Sequence, residues 1–344
     1  MWAVLLRLSA LAIVLGAGAG VYVWQHANEL LNAPVTPLSD GETFTVERGM
    51  SFGRVVDALE ELEVLNDGWA LKAHARLNQK AVRVQAGEYA IVEGMTPLTL
   101  LDTMLRGETV SYAVTLVEGK TFRQFLQILR QAKALETTLD GQTDAEIMAK
   151  LGFSDEHPEG RFMPNTYSYV AGATDFQILK RAYEAMTDYL GKAWETRAAD
   201  LPYERPYDAL IMASIIEKET GRADERPEIA GVFVRRLKID MKLQTDPTVI
   251  YGMGDRYDGN IRRKDLREDT PYNTYVHKGL TPTPIANPGT AAIDAALHPA
   301  SGTALYFVAK GDGSGGHAFS DTYPQHQQAI QAYLKRLRAK KRKG

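Results

Sequence analysis

The chain has 344 residues, 40 Lys and Arg against 43 Asp and Glu, and no cysteine. Its length predicts two or more domains, and its ordinary hydrophobic share with modest charge excludes large-scale disorder. A net charge near neutrality gives no case for nucleic acid as a partner, and the missing cysteine excludes disulfides and thiolate chemistry.

Residues 1–25 read as a transmembrane anchor. The stretch from Met1 to Trp24 carries one charge, Arg7, and is about the length that spans a bilayer, with Tyr22 and Trp24 suited to an interfacial belt. The competing reading is a cleaved signal peptide with Ala17-Gly18-Ala19 as its small-residue site; the apolar run continues past those residues, which favours a retained anchor. No acidic residue precedes Glu29, so the bulk of the chain is expected outside the cytoplasm. Residues 26–41, with Pro34 and Pro37, read as a stiff linker.

A weak repeat follows. Val46-Glu47-Arg48-Gly49-Met50-Ser51, Val92-Glu93-Gly94-Met95-Thr96 and Val117-Glu118-Gly119-Lys120-Thr121 each end a strand-like run and place Ser or Thr at a helix N-cap. The helices are expected over Phe52–Leu62, Leu98–Leu105 and Phe122–Ala132, with Pro97 in a first turn and Thr121 and Gln124 as a capping box. A further helix near Trp69–Leu77 and a strand over Val82–Ile91 make residues 42–91 a β-α-α-β set. Within a subdomain of residues 42–110 that set is similar to a LysM-type glycan-binding fold; a plain spacer is the alternative.

Residues 111–155 read as a connecting subdomain, acidic and loop-rich from 135 onward, and residues 156–338 as a mostly helical domain. Its helices are expected over Asp175–Leu190, Tyr207–Thr220, Pro227–Ile239 and Pro324–Leu337. Ala304–Ala309 and His317–Ser320 alternate like the strands of a hairpin around a glycine-rich turn. The basic tail, 339–344, is read as a solvated end, with contact to anionic lipid or polymer as the minority reading. The fold class is therefore α+β.

The chemistry concentrates at Leu210–Gly221. At about 100° per residue, Ile211, Met212, Ile215 and Ile216 share one helix face with Glu219, while Glu217 falls beside Ser214 and Lys218 on the expected wet side. Gly221 is expected to stop the helix. A carboxyl aimed into apolar surroundings has a raised pKa and can hold a proton near neutrality, as a general acid must. Glu219 is therefore the candidate acid. Downstream loops rich in amides, hydroxyls and tyrosines suit a sugar polymer, and Gln244, Asp246, Tyr251, Asn273 and Tyr275 are the candidate substrate-binding residues. Seven scattered histidines without H-E-x-x-H spacing argue against a metal site, and Gly311–Gly316 lacks the ending of a phosphate loop, so no cofactor is expected. His317 reads as an ordinary strand residue.

Ala213-Ser214-Ile215-Ile216-Glu217-Lys218-Glu219-Thr220, Leu243-Gln244-Thr245-Asp246-Pro247-Thr248-Val249-Ile250-Tyr251-Gly252 and Tyr272-Asn273-Thr274-Tyr275 resemble the YceG-like family. The likeness extends over nearly the whole chain; one departure is Asn165, where the family commonly has aspartate. The resemblance implies cleavage of the β-1,4 bond between N-acetylmuramic acid and N-acetylglucosamine within peptidoglycan, forming a 1,6-anhydro end, with Glu219 as the catalytic acid. It also implies action on nascent strands at the outer side of the inner membrane, as a terminator of glycan elongation near penicillin-binding proteins. Two other readings stay open: a hydrolytic muramidase with Asp246 as second carboxylate, and a non-catalytic anchored peptidoglycan-binding protein.

Overall fold

The computed structural model describes residues 2–78 and 84–341, so Val82 and Arg83 of the expected strand, and Arg342 and Lys343 of the tail, lie outside the described residues. The chain divides into two compact units, Met1–Tyr112 with Ser168–Ala173, and Ala113–Tyr167 with Thr174–Gly344.

In the first unit, α1 (Trp2–Asn32) contains a stretch, Leu6–Asn32, long and apolar enough to cross a membrane. It overruns the expected end at residue 25 because nothing disfavours helix until Pro34, whose ring pushes Ala33 out of the helical region. The expected linker is packed rather than free. Val35 is buried, and the N–H groups of Val35, Thr36 and Leu38 donate to the carbonyls of Met95, Val64 and Ile91.

The next elements are β1 (Phe44–Val46), α2 (Phe52–Glu61), α3 (Trp69–Leu77) and β2 (Gly87–Tyr89), the β-α-α-β order read from the sequence. The strands pair antiparallel, Phe44 opposite Tyr89 and Val46 opposite Gly87. Phe44 and Val46 point inward onto Val55, Val56 and Leu59 of α2, and α4 (Pro97–Arg106) adds Leu100, Leu101 and Met104 to the same core. Burying each such side chain contributes roughly 1.5–3 kcal/mol. Ser51 and Thr96 cap α2 and α4 as expected, each side chain accepting from the backbone three residues on.

The paired strands β3 (Ser111–Leu116) and β5 (Asn165–Val170) each run across the sequence boundary between the units. Between them lie α5 (Phe122–Arg130), with its Thr121–Gln124 capping box, β4 (Leu135–Glu136) and α6 (Asp144–Leu151). The last falls in the stretch expected to be loop; its signal was a Thr143–Glu146 capping box in plain sight. Then come β6 (Ala173–Thr174), α7 (Asp175–Glu195), α8 (Pro206–Glu219), α9 (Arg226–Lys238), α10 (Asp246–Met253) and α11 (Thr290–Leu297). The hairpin β7 (Tyr306–Ala309) and β8 (His317–Ser320) and the closing α12 (Tyr323–Lys341) complete the second unit. The short helix α10 lies mostly in a segment read as loop, and α11 in a stretch for which no element is expected.

The axis of the second unit is α8. Every residue from Ala209 to Ile216 is buried, with α7, α9, α10 and α11 packed around it. This corrects the expectation of a wet face. Ser214 is fully buried; its hydroxyl donates to the Ile211 carbonyl at 2.7 Å and accepts from the Ile285 N–H at 2.9 Å. The Glu217 side chain is 6% exposed, pairs with Arg226 at 3.1 Å and accepts the Gly289 N–H at 3.1 Å. Burial raises its pKa, against the lowering effect of those two partners. Only Lys218 of the three faces solvent.

Glu217 is thus a structural carboxylate holding α8 to α9 and to the start of α11. Removing one partner of a buried pair leaves the other uncompensated, at a cost of about 3–5 kcal/mol. Glu217→Gln should lower the thermal midpoint measurably, and adding Arg226→Met should recover part of the loss. An unchanged midpoint for the single variant in calorimetry would show that the pair does not hold the helices.

Candidate active site

Glu219 is the last residue of α8, half-buried, and Thr220 after it turns to extended backbone with φ −145° and ψ 136°. The helix therefore ends at Thr220; Gly221 is not among the left-handed glycines, contrary to its expected role as the stop. Because α8 is buried on all sides, its final carboxyl is delivered to the rim of the core rather than into water.

The chain segment that meets it is Leu243–Asp246. Leu243 and Thr245 are buried while Gln244 and Asp246 are exposed, an alternation made by placing Gln244 at φ 51°. A left-handed conformation without glycine costs roughly 1–2 kcal/mol, and here backbone bonding to the facing loop holds it. The N–H of Gln244 donates to the Thr274 carbonyl at 3.2 Å, and that of Thr245 donates to the Thr274 hydroxyl at 3.1 Å. Thr248 completes the cluster, its hydroxyl 2.8 Å from both the Thr245 carbonyl and the Thr274 hydroxyl. Three buried threonines thereby lock the backbone, and the Thr245 hydroxyl donates to Oε1 of Glu219. Oε2 has no protein partner among the described residues.

Burial is the largest influence on the Glu219 pKa and raises it; the Thr245 hydrogen bond lowers it, the Asp246 charge raises it, nearby His317 and Arg236 lower it, and the balance stands at about 6. Arg236 is itself buried, and its guanidinium donates to the carbonyls of Leu305 and Leu243, at 2.7 and 2.5 Å. Its charge is thus held beside the acid by backbone bonds rather than by an ion pair. Asp246 accepts the Tyr275 hydroxyl at 2.7 Å.

The candidate residues divide. Glu219, Asp246 and Tyr275 come together, and Gln244 stands exposed beside them. Tyr251 does not join them: its ring packs edge-on against Tyr272 and its hydroxyl donates to the buried Glu159 at 3.1 Å. Asn273 is corrected outright as a surface-lining residue. It is fully buried, its amide donates to the carbonyls of Asp265 and Glu268, and its oxygen accepts from the Tyr275 N–H. It shapes the loop that carries Thr274 and Tyr275. Sequence reasoning passed over Thr245, Arg236 and His317. Only Thr245 carried a local signal, its place between Gln244 and Asp246. An open cavity of about 510 Å³ lined by Arg123, Gln127, Arg130 and Asp144 contains none of these residues.

A family model described as "YceG-like family" matches residues 44–332. The chain belongs to the YceG-like family. A Bacillus subtilis relative named endolytic murein transglycosylase is 32% identical over 310 residues, covering 84% of this chain and 84% of that protein. A Streptococcus pneumoniae relative of the same name is 27% identical over 300 residues, 78% of this chain and 54% of that one. The crystal structure of a yceG-like protein from Listeria monocytogenes is similar at TM-score 0.50 and 31% identity, covering 83% of this chain and 99% of that chain.

The raised pKa of Glu219 has a stability consequence of definite sign. Protonated Glu219 is favoured in the folded state, so its contribution is present at low pH and lost as pH rises from the ordinary carboxyl value through about 6. Glu219→Gln removes that loss and keeps an acceptor for Thr245. At pH 8 the variant should be more stable by about 2 kcal/mol, with little difference at pH 4, in denaturant titrations. A variant less stable than the parent at pH 8 would contradict the placement of the carboxyl.

Proposed function

We propose that this YceG-family protein is an endolytic murein transglycosylase, a lyase acting on peptidoglycan glycan strands, with Glu219 as its acid and then its base. The observation that carries the residue assignment is a carboxyl at the end of a buried helix, oriented by Thr245 and holding its proton up to about pH 6. The reaction class rests on family membership and on the names of relatives covered along most of this chain.

The proposed chemistry starts with Oε1 occupied by the Thr245 hydroxyl, so Oε2 carries the proton. Glu219 donates it to the glycosidic oxygen joining N-acetylmuramic acid to N-acetylglucosamine as the C1–O bond breaks. The muramoyl centre becomes oxocarbenium-like, and the carboxylate left behind lies near the Arg236 charge, which favours the ionised form. Glu219 then accepts the proton of the same sugar's C6 hydroxyl as that oxygen bonds C1, closing the 1,6-anhydro ring. The nucleophile belongs to the substrate, so proximity replaces an activated water and one carboxylate suffices. Asp246, bound to the Tyr275 hydroxyl, keeps Glu219 proton-rich by its charge. Gln244, exposed beside it, is assigned to the glycan, as are Asp246 and Tyr275.

We assign α1 as a retained inner-membrane anchor with the second unit on the periplasmic side. That placement would let the enzyme cut nascent strands and end their elongation near penicillin-binding proteins. Its length and hydropathy support the assignment. The β-α-α-β segment is read as LysM-like and as a contact for the same polymer.

The decisive test is digestion of purified peptidoglycan by the full chain in detergent, in water enriched in oxygen-18. The products should carry anhydro ends without label; labelled reducing ends would establish hydrolysis and promote Asp246 to second carboxylate. Glu219→Gln should lower the rate roughly 10²–10⁴-fold, and turnover close to that of the parent would remove Glu219 from the mechanism.

A further inference from the structure

His317, read from sequence as a plain strand residue, opens β8 and is gripped by one carboxylate. Glu225 accepts the His317 backbone N–H through Oε1 at 3.0 Å and faces ring Nδ1 through Oε2 at 2.8 Å. The grip is built closely: a Cβ at Gly316 would stand 2.8 Å from Oε1 of Glu225, so the preceding glycine admits the carboxylate. Arg222, just beyond the end of α8, lies 3.7 Å from the same carboxylate and donates to the Ser314 carbonyl at 3.0 Å, tying the hairpin turn to the segment after Glu219. Phe307 meets the imidazole edge-on, 5.4 Å between centroids. Burial opposes ionisation of Glu225, but the hydrogen bonds from His317 outweigh it and hold the carboxyl below its ordinary range.

An ionised Glu225 makes Nδ1 the protonated nitrogen of the neutral ring, and Nε2 is then a lone-pair acceptor. Nε2 has no protein partner among the described residues and is not sealed from solvent. The ring also lies near enough to Glu219 to influence its carboxyl electrostatically. A carboxylate that fixes the tautomer of a histidine whose other nitrogen is left open beside an acid is the arrangement of a functional imidazole.

We propose that His317, oriented by Glu225, accepts a hydrogen bond through Nε2 from a hydroxyl of the glycan bound at Glu219, making it a further substrate-contacting residue of the site. This rests on the Glu219 reading and adds a neighbour of that acid to the groups that meet the glycan. The charged groups around the ring are Glu225 and Arg222 before and at the start of α9, Glu219 on α8 and Lys310 beyond β7.

The variant that isolates Nε2 is His317→Asn, whose side-chain amide can still donate to Glu225. It should retain the parent's thermal midpoint and lose about tenfold in kcat/KM on uncrosslinked glycan strands. In the inactive Glu219→Gln background, adding His317→Asn should weaken binding of the same strands about tenfold. Unchanged affinity and an unchanged kcat/KM would overturn the proposal. If His317→Asn does not fold, long-range histidine ¹⁵N spectra of full-length Glu219→Gln in detergent decide it. The His317 Nε2 resonance should move when strands are added; a resonance that stays put rules the contact out. Turnover by Glu219→Gln itself would instead reject the Glu219 assignment, so the two failures are distinguishable.

Discussion

Everything in the second unit follows from burying α8 on every face. A helix sunk in a core cannot end in two free carboxylates, since each would lose hydration without compensation. The fold disposes of them differently. Glu217, two residues before the end, takes Arg226 and the Gly289 N–H as partners and becomes a joint between helices. Glu219, at the end itself, receives a neutral hydroxyl from Thr245 and no ion pair among the described residues. The unpaired one is left with the raised pKa that acid catalysis at neutral pH requires.

The loops that meet Glu219 are held by backbone-directed bonds rather than by apolar packing. Thr245, Thr248 and Thr274 interlock, Asn273 fastens the loop behind them, and Arg236 satisfies the carbonyls of Leu243 and Leu305. Such a frame fixes the positions of Glu219, Asp246 and Tyr275 while leaving their outer surfaces free for a long polymer. It also explains the left-handed Gln244: the strain is local and the surrounding bonds over-determine it.

Much of this was legible in the sequence. The N-caps at Ser51, Thr96 and Thr121, the β-α-α-β order and the β7–β8 hairpin are written in residues only a few positions apart, whose rules are local. The place of Glu219 at the end of an apolar helix was legible too. The surroundings of Ser214 and Glu217 were not. Periodicity describes a helix with solvent on one side, and α8 has none, so Ser214 and Glu217 were misplaced for a reason that recurs in central helices. Asn273 had the composition of a sugar-binding residue, yet the same amide serves equally well to bind a loop to itself.

The sequence by itself determined the family, the helix that carries the acid and the strings that surround it, because these depend on residue identity and short spacing. Tertiary structure alone decided which polar groups share a site. His317 lies 98 residues beyond Glu219 and Arg236 seventeen, and no local pattern relates them. Their convergence depends on α9 packing against both α8 and the hairpin strand β7, and on Glu225 and backbone carbonyls orienting the two side chains. Electrostatics at an acid is set by distance through space and by burial, and neither is a property of neighbours along the chain.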